Sequence, residues 1–210
     1  DFNKEKTVYQ TSVISQKATF FEYNITSPYT IASDNLPETV HIRDVEVQAK
    51  YEYQCVPKFD KDVFLVARIY GWEEFNLLNG DARLYFEKTF VGKSFLNVEL
   101  IEDTLGLSLG RDKNIIVTRD KAFDESGVKT FSGNKKETRM FSIQMRNNKK
   151  EEINLMIRDQ YPLSNEKRIS VKLEESSDAK VEETTGTLVW RIPLIPSENK
   201  KVDFGYSVSY

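Results

Sequence analysis

The chain has 210 residues, of which 39% are hydrophobic, 12% aromatic and 30% charged, and its net charge is −3. This balance is typical of a globular protein, and the lack of clustered lysine and arginine argues against nucleic acid as a partner. No apolar run reaches the roughly 18 residues that a membrane-spanning helix needs, so no transmembrane segment is predicted in this chain. Cys55 is the only cysteine, which excludes an internal disulfide.

The first third of the chain predicts short strands separated by turns. The apolar residues Phe21, Tyr23 and Ile25 alternate with the polar residues Glu22 and Asn24, as in a half-buried strand. From Val45 to Cys55 the alternation is unbroken, with apolar residues on one face and polar residues on the other. We therefore expect one amphipathic strand over 45–55, with Cys55 as an inert thiol on its buried face.

The next segment predicts a central strand followed by the only helical turn of the chain. Val63 to Tyr70 is apolar on both faces, which is typical of a strand covered on each side. Over 72–78 the apolar residues have helical spacing, with glutamates near the start and Gly80 after the end, so a short helical turn is expected there. Trp72 and Phe75 could form a sugar-stacking platform, but capping of a β-sandwich explains them better.

The stretch from Gly80 to Asp120 contains several short strands joined by turns. Alternation predicts strands over 82–86, 105–109 and 115–118. Glu87-Lys88 can turn the chain, after which Phe90 and Val91 begin a return strand. The run from Gly110 to Asn114 supplies turn residues, with Gly or Asn available for a positive φ.

The same stretch carries a family resemblance, in the runs FNLLNGDARLYF, YFEKTFVGKSFL and DTLGLSLGRDKNIIVTRD. From about Phe20 to its end, the chain resembles the C-terminal domain of the mucoidy inhibitor A (MuiA) family, much of which is catalogued as a domain of unknown function. The resemblance implies a bacterial envelope-associated β protein, in the periplasm or on the cell surface. The resemblance identifies no catalytic residues.

The second half predicts a linker and then a regular series of strands. Residues 121–136 are polar and contain Gly127, Gly133 and Asn134. Beyond them, short segments with one apolar face each recur, at 141–145, 153–157, 169–173, 188–192 and 202–208. We therefore expect an all-β chain of two tandem β-sandwich domains, 1–128 and 129–210, the second immunoglobulin-like but without the antibody cysteine pair.

The strand around Trp190 gives a specific prediction of side-chain direction. Period-two alternation places Leu188, Trp190 and Ile192 on the inward face and Arg191 toward solvent. Opposite Trp190, across the sandwich, the expected neighbours are Leu155, Val171 or Phe204.

Candidate chemical motifs are weak. Gly92-Lys93-Ser94 mimics the end of a phosphate-binding loop, but Glu87 stands where that motif requires its first glycine, so a hairpin turn is the better explanation. His41 is the only histidine, and one histidine with one cysteine cannot supply the usual zinc ligands. We expect His41 to be exposed on a strand. Asn24-Ile25-Thr26 is a glycosylation sequon that we attribute to chance.

Aspartates in predicted turns are the remaining candidates. Paired carboxylates could serve a glycosidase or bind calcium, but no run has the spacing of a calcium-binding loop. Turn formation is therefore expected for these residues, which are Asp60, Asp62, Asp103, Asp112, Asp120 and Asp124.

The sequence thus predicts no catalytic, cofactor-binding or metal-binding residue, and it assigns no ligand-binding residue. The first hypothesis is a non-enzymatic structural or interaction domain whose partner is a protein or glycan of the bacterial envelope. The alternative is a carbohydrate-binding module, motivated by Trp72, Tyr85 and the many Tyr and Phe residues; a carboxylate-based glycosidase is the third hypothesis. Exposed aromatic rows would favour the alternative, and a deep pocket with two carboxylates would favour the glycosidase. A broad apolar patch with neither would favour the first hypothesis.

Overall fold

The computed structural model describes residues 12–16, 21–25, 28, 30, 31, 33, 34, 36, 39–100, 103–122, 127–131 and 134–210. Nearly all regular structure in them is β, which confirms the predicted fold class. The strands are β1 (Ser12–Gln16), β2 (Phe21–Ile25), β3 (Ala49–Val56), β4 (Asp60–Tyr70), β5 (Gly80–Phe86), β6 (Thr89–Leu96), β7 (Thr104–Arg111), β8 (Ile115–Lys121), β9 (Gly127–Phe131), β10 (Asn134–Asn147), β11 (Ile153–Gln160), β12 (Ser170–Glu175), β13 (Lys180–Glu182), β14 (Thr187–Leu194) and β15 (Asn199–Ser209).

Two sheets enclose one hydrophobic core. The five-stranded sheet has the order β12-β15-β10-β8, with β9 also paired to β10, and the six-stranded sheet has the order β13-β14-β11-β3-β4-β7. The pairs β1-β2 and β5-β6 form separate two-stranded sheets. The buried core draws apolar side chains from both large sheets, because each strand turns alternate residues inward: Cys55, Val63, Ile115, Val117, Ile143, Met145, Ile153, Leu155, Ile157, Tyr161, Leu188, Trp190, Leu194, Phe204 and Tyr206.

Strand pairing crosses the domain boundary that the sequence predicts at 128/129. β8 precedes that boundary and pairs with β10, which follows it. β3 lies parallel to β11, with Tyr53 opposite Leu155. In the described part of the predicted linker, β9 and the start of β10 form a hairpin. The pairing and the shared core therefore give no support to a division into 1–128 and 129–210, because strands on each side have their hydrogen-bonded neighbours on the other.

The strand predicted over 45–55 begins later than expected. β3 starts at Ala49, and Val45 and Val47 are exposed rather than inward-facing. The neighbour β4 ends at Tyr70, one residue beyond Ile69, which lies opposite Ala49. Residues before Ala49 thus have no strand beside them, and alternation alone cannot sustain a strand without a hydrogen-bonded partner.

Two short 3₁₀ turns are the only helical segments among the described residues. The first, Trp72–Phe75, lies where the sequence predicts a helical turn, but it ends at Asn76, which adopts a left-handed conformation. Gly80 therefore opens β5 and does not end the turn. The second, Val98–Leu100, was not predicted. The central position predicted for Val63 to Tyr70 is confirmed, because β4 pairs with β3 and β7.

The Trp190 strand follows the prediction closely. Leu188 and Trp190 are buried, Ile192 packs against the core, and the Arg191 side chain is 64% exposed. The Trp190 ring lies 5.9 Å from the ring of Phe204 on the opposite sheet, and its indole N–H donates to the carbonyl of Ser176 at 2.9 Å. Leu155 was expected across the sandwich but lies in β11, the neighbouring strand of the same sheet, where it pairs with Ile192.

An ion pair lies beside the aromatic residues of the core. Arg119 Nε donates to Asp159 Oδ2 at 2.7 Å, and the Asp159 side chain is fully buried. The Arg119 guanidinium carbon lies 3.9 Å from the ring centre of Phe141 and 5.4 Å from that of Phe204. The second carboxylate oxygen of Asp159 accepts the backbone N–H of Gln160 at 2.7 Å. A buried charge is tolerated here because its oxygens have donors.

Candidate binding surfaces

The β5-β6 hairpin presents aromatic and cationic side chains to solvent. Residues paired across an antiparallel hairpin share a face. The pairs Asp81–Phe95, Arg83–Lys93 and Tyr85–Phe90 place six exposed side chains together. The exposed fractions are 60% for Tyr85, 50% for Phe90 and 63% for Phe95. We call this surface the aromatic hairpin face; it comprises Asp81, Arg83, Tyr85, Phe90, Lys93 and Phe95.

The hairpin forms at the turn that the sequence predicts. Glu87 and Lys88 have φ values of 47° and 66°. A positive φ at both central residues matches the twist of two-residue hairpin turns to that of the flanking strands. Gly92-Lys93-Ser94 lies within β6 and not in the turn, so the hairpin-turn explanation for that tripeptide is wrong. Strand geometry at Gly92 also rules out the loop that a phosphate-binding motif needs.

The opposite face of the hairpin anchors it to the sandwich. The Phe86 ring makes an edge contact with Tyr51, with ring centres 6.1 Å apart. Phe86 also lines a groove of about 500 Å³ together with Tyr53, Leu65 and Leu109. This side of the hairpin thus faces the sandwich, so the aromatic hairpin face points away from it.

Lys149 forms a polar cluster at the edge of that groove. Its ammonium donates to the Tyr53 hydroxyl at 2.7 Å and to Asp112 Oδ2 at 3.0 Å, and it lies 3.2 Å from Glu151 Oε1. Burial acts to lower the pKa of Lys149, but these acceptors outweigh it and raise that pKa. Burial likewise acts to raise the pKa of Asp112, but the N–H of Asn114 and the Lys149 ammonium bring it below its usual value. A lysine held in its charged form is poorly suited to act as a nucleophile.

A groove on the outer face of the six-stranded sheet concentrates positive charge. Its volume is about 420 Å³, and its lining comes from β3, β4, β7, β11 and β14. Arg68 Nε donates to Glu52 Oε2 at 3.0 Å, and Arg191 Nε lies 3.8 Å from Glu52 Oε1. The floor of this groove lies on the sheet. We call it the basic groove, and its charged and amide side chains are Lys50, Glu52, Arg68, Asn154, Arg158 and Arg191.

Cys55 behaves as the sequence predicts for an inert thiol. It is 1% exposed, and its sulfur lies within weak hydrogen-bonding distance of the carbonyls of Asp60 and Lys61. Burial, reinforced by the nearby carboxylates of Asp60 and Asp62, raises the pKa of the thiol to about 12. The thiolate that redox or nucleophilic chemistry needs is therefore disfavoured.

The candidate histidine, His41, lies on the surface, whereas the candidate aromatic pair, Trp72 and Phe75, is partly buried. His41 is exposed, as predicted, and its Nε2 lies 3.1 Å from Asp44 Oδ1, but residues 41–48 form no strand. Trp72 and Phe75 are half-buried, and Arg43 donates a hydrogen bond to the Phe75 carbonyl. They therefore offer no open platform for a sugar ring. In the predicted sequon, Asn24 and Ile25 lie in β2, and Thr26 lies outside the described residues.

The described candidate aspartates divide between strands and turns. Asp60 and Asp62 lie in β4, so the turn predicted for them is wrong; Asp60 Oδ1 accepts the N–H of Asp62, and both carboxylates pair with Arg111. Asp112 Oδ1 accepts the N–H of Asn114 at 2.9 Å. Asp103 lies in a bend, but Asp120 lies within β8, so the turn predicted for it is wrong. Asp124 is outside the described residues.

Within the described ranges, no cluster of three or more His, Cys, Asp or Glu side chains is arranged to hold a metal ion. The same ranges contain no helix of the length and hydropathy that crossing a membrane requires.

The two surfaces named above were missed at the sequence level for different reasons. Alternation in β5 and β6 could have revealed the hairpin face, whereas the basic groove joins residues far apart in the chain, such as Lys50 and Arg191.

Comparisons with known proteins identify relatives but no activity. The sequence model of a family described as "Domain of unknown function (DUF4139)" matches residues 3–210. Protein F37C4.5 of Caenorhabditis elegans is 26% identical over 205 residues, which cover 90% of this chain and 36% of the nematode protein. The chain thus spans little more than a third of that relative's length. No solved structure matches the chain.

Proposed function

The chain belongs to the DUF4139 family, and we propose that it serves as a non-enzymatic interaction domain that docks an acidic protein segment on the aromatic hairpin face. The observation that carries this proposal is the exposure of three large aromatic side chains around a pair of cations. Exposed apolar groups gathered on one surface mark interaction sites in soluble proteins more often than the same groups scattered singly.

The chemistry of the face indicates the partner. Tyr85, Phe90 and Phe95 supply rigid apolar contact area, and aromatic residues are enriched where protein interfaces bind most tightly. Arg83 and Lys93 lie opposite one another, between the pair Tyr85–Phe90 and the pair Asp81–Phe95. A segment with acidic residues next to apolar ones would satisfy both features, because opposite charges set the orientation while apolar side chains supply affinity.

Exposed aromatic residues are the feature expected of a carbohydrate-binding module, but a glycan fits this particular surface less well than a peptide. Sugar rings stack on an open aromatic face, but the rings of Tyr85 and Phe90 meet at 64° with centres 5.5 Å apart. Trp72, the other aromatic that motivated a carbohydrate-binding module, is half-buried. The glycan hypothesis is therefore tested as the alternative in the experiment below.

Support for a non-enzymatic role comes from the candidate nucleophiles. The Cys55 thiol is buried, with a pKa of about 12, and the Lys149 ammonium is held in its charged form. The basic groove contains one carboxylate, from Glu52, where a carboxylate-based glycosidase needs two flanking the bond to be cut.

The test selects ligands for the purified chain from a displayed library of random short peptides. We expect the selected peptides to combine Asp or Glu with apolar residues. Their binding should be lost in a variant carrying Arg83→Gln and Phe95→Ser and retained in Phe59→Ser, a matched control because Phe59 is 80% exposed outside the hairpin. A glycan array probed with the same three proteins forms the second arm. Selective glycan binding that is lost in the hairpin variant, or peptide binding that survives it, would contradict the proposal.

We also propose a location in the periplasm or on the cell surface, supported only by the resemblance to the MuiA family. The nematode relative belongs to an animal, so domains similar to this one are also found outside bacteria. Fractionation of the source cells with an antibody against this chain tests the location. Recovery in the cytosolic fraction would contradict it.

A further inference from the structure

We infer that the basic groove is a binding site for a small oxyanion ligand, bearing carboxylate or phosphate groups, that competes with Glu52. This site is separate from the aromatic hairpin face, and neither proposal depends on the other.

The first observation is a local reversal of charge. The chain as a whole has 33 acidic and 30 basic residues. The basic groove brings together Lys50, Arg68, Arg158 and Arg191 around a single acid, Glu52. A concave surface lined by one sign of charge raises the local concentration of ligands of opposite sign.

The second observation is that two of the four cations lack a carboxylate partner. Arg158 makes no ion pair with any residue that the structure describes, and Lys50 has only the Tyr70 ring, 5.5 Å from its ammonium. Arg191 is held loosely, at 3.8 Å from Glu52, with most of its side chain exposed. These groups have capacity for further acceptors, and the planar guanidinium suits carboxylate and phosphate in particular.

The third observation concerns Glu52 itself. Its carboxylate lies between Arg68 and Arg191, with one oxygen toward each, and Gln54 donates to it at 3.3 Å. This arrangement shows that the floor of the groove accommodates a carboxylate. An incoming anion would take the loose contact to Arg191 and add contacts to Arg158, while Arg68 keeps its shorter bond to Glu52.

The size of the groove favours a small ligand. A volume of about 420 Å³ falls in the range of small-molecule sites, roughly 300–1,000 Å³. Asn154 and Thr104 add neutral hydrogen-bonding groups to the lining. Such groups fix the orientation of a ligand that the cations attract.

The test is calorimetric titration of the full chain with citrate and with inorganic pyrophosphate, at constant ionic strength. We expect at least one probe to bind. Arg158→Gln should weaken binding about tenfold, as removal of a charge-assisted contact does. Glu52→Gln should strengthen binding, because it removes the competing charge. Binding of citrate alone would assign a carboxylate ligand, and binding of pyrophosphate alone would assign a phosphate ligand.

The control is Arg146→Gln, which removes an exposed arginine from the five-stranded sheet. It should leave binding unchanged. Arg158 has no ion-pair partner among the described residues, so its replacement tests the groove without disturbing the fold, and urea unfolding of each variant verifies this. The inference is overturned if neither probe binds, if Arg146→Gln weakens binding as much as Arg158→Gln, or if Glu52→Gln weakens it.

Discussion

Two aromatic clusters in this protein have opposite surroundings. In the sandwich, Trp190, Phe204 and Phe141 pack against one another, with ring centres 5.1 and 5.9 Å apart. On the hairpin, Tyr85 and Phe90 are as close, at 5.5 Å, but lie in solvent. Both clusters arise from strands with period-two alternation. Alternation thus shows which residues share a face, while the covering of that face depends on which strands pack against it.

The largest test of this contrast is truncation of Trp190. We expect Trp190→Ala to lower the free energy of unfolding by about 3–5 kcal/mol, because it removes buried apolar area and leaves a cavity. It also leaves the carbonyl of Ser176 without the indole donor. Urea unfolding measures the change. Arg191→Ala on the same strand should cost less than about 1 kcal/mol, and a larger loss there than at Trp190 would contradict the assigned faces.

The second test concerns the ion pair within the interior cluster. Asp159→Ala would leave the Arg119 guanidinium, which lies over the Phe141 ring, without its carboxylate. We expect a loss of about 3 kcal/mol, as for other buried pairs that lose one partner. Asp203→Ala, which breaks a more exposed pair with Lys201, should cost less than about 1 kcal/mol in the same assay. Equal losses would mean that burial does not distinguish the two pairs.

The third test concerns the boundary between the two regions, where Lys149 and Asp112 meet near the turn of the hairpin. The pKa of Asp112 is lowered in the folded protein, so the unfolded chain binds a proton on that group more readily. The stabilisation it gives is present above the usual carboxyl range and is lost as the pH falls below about 4. Urea unfolding at pH 7 and pH 3 should show a smaller acid loss in Asp112→Asn than in the wild type. An equal loss of unfolding free energy in the two proteins would contradict a contribution of the Asp112 carboxylate to stability.

The smallest effect is expected on the hairpin face. Tyr85→Ser and Phe95→Ser should each change the free energy of unfolding by less than about 0.5 kcal/mol, because their side chains are already in solvent. Phe86→Ser, on the covered face of the same hairpin, provides the comparison and should cost more. Urea curves that rank Phe95 above Phe86 would show that the hairpin packs through its other face.

Local patterns predicted much of the fold but not the long-range pairing. Leu188, Trp190 and Arg191 were assigned correctly because alternation fixes side-chain direction within one strand. Val45 was misassigned because a strand also needs a neighbour, and β4 does not extend that far. The boundary at 128/129 rested on polar residues, whereas the pairing of β3 with β11 leaves no local signal in the sequence.

The two candidate surfaces likewise differ in whether they arise from local patterns or from long-range pairing. The hairpin turn at Glu87-Lys88 was predicted, and with it the alternation that exposes Tyr85. The basic groove could not be predicted, since Arg68, Arg158 and Arg191 converge only through the order of strands in the six-stranded sheet. The family match confirms a domain of unknown function, and neither it nor the MuiA resemblance indicated either surface.

The parallel pairing of β3 with β11 has a consequence for synthesis on the ribosome. β3 and β4 emerge early, but β3 gains its second neighbour only after β11 has been made, and the core closes only when β15 supplies Phe204. Contacts between such distant segments form slowly and leave strand edges unpaired in the meantime. A nascent chain that stalls before β11 therefore exposes the edge of β3, and an unpaired strand edge of this kind favours aggregation.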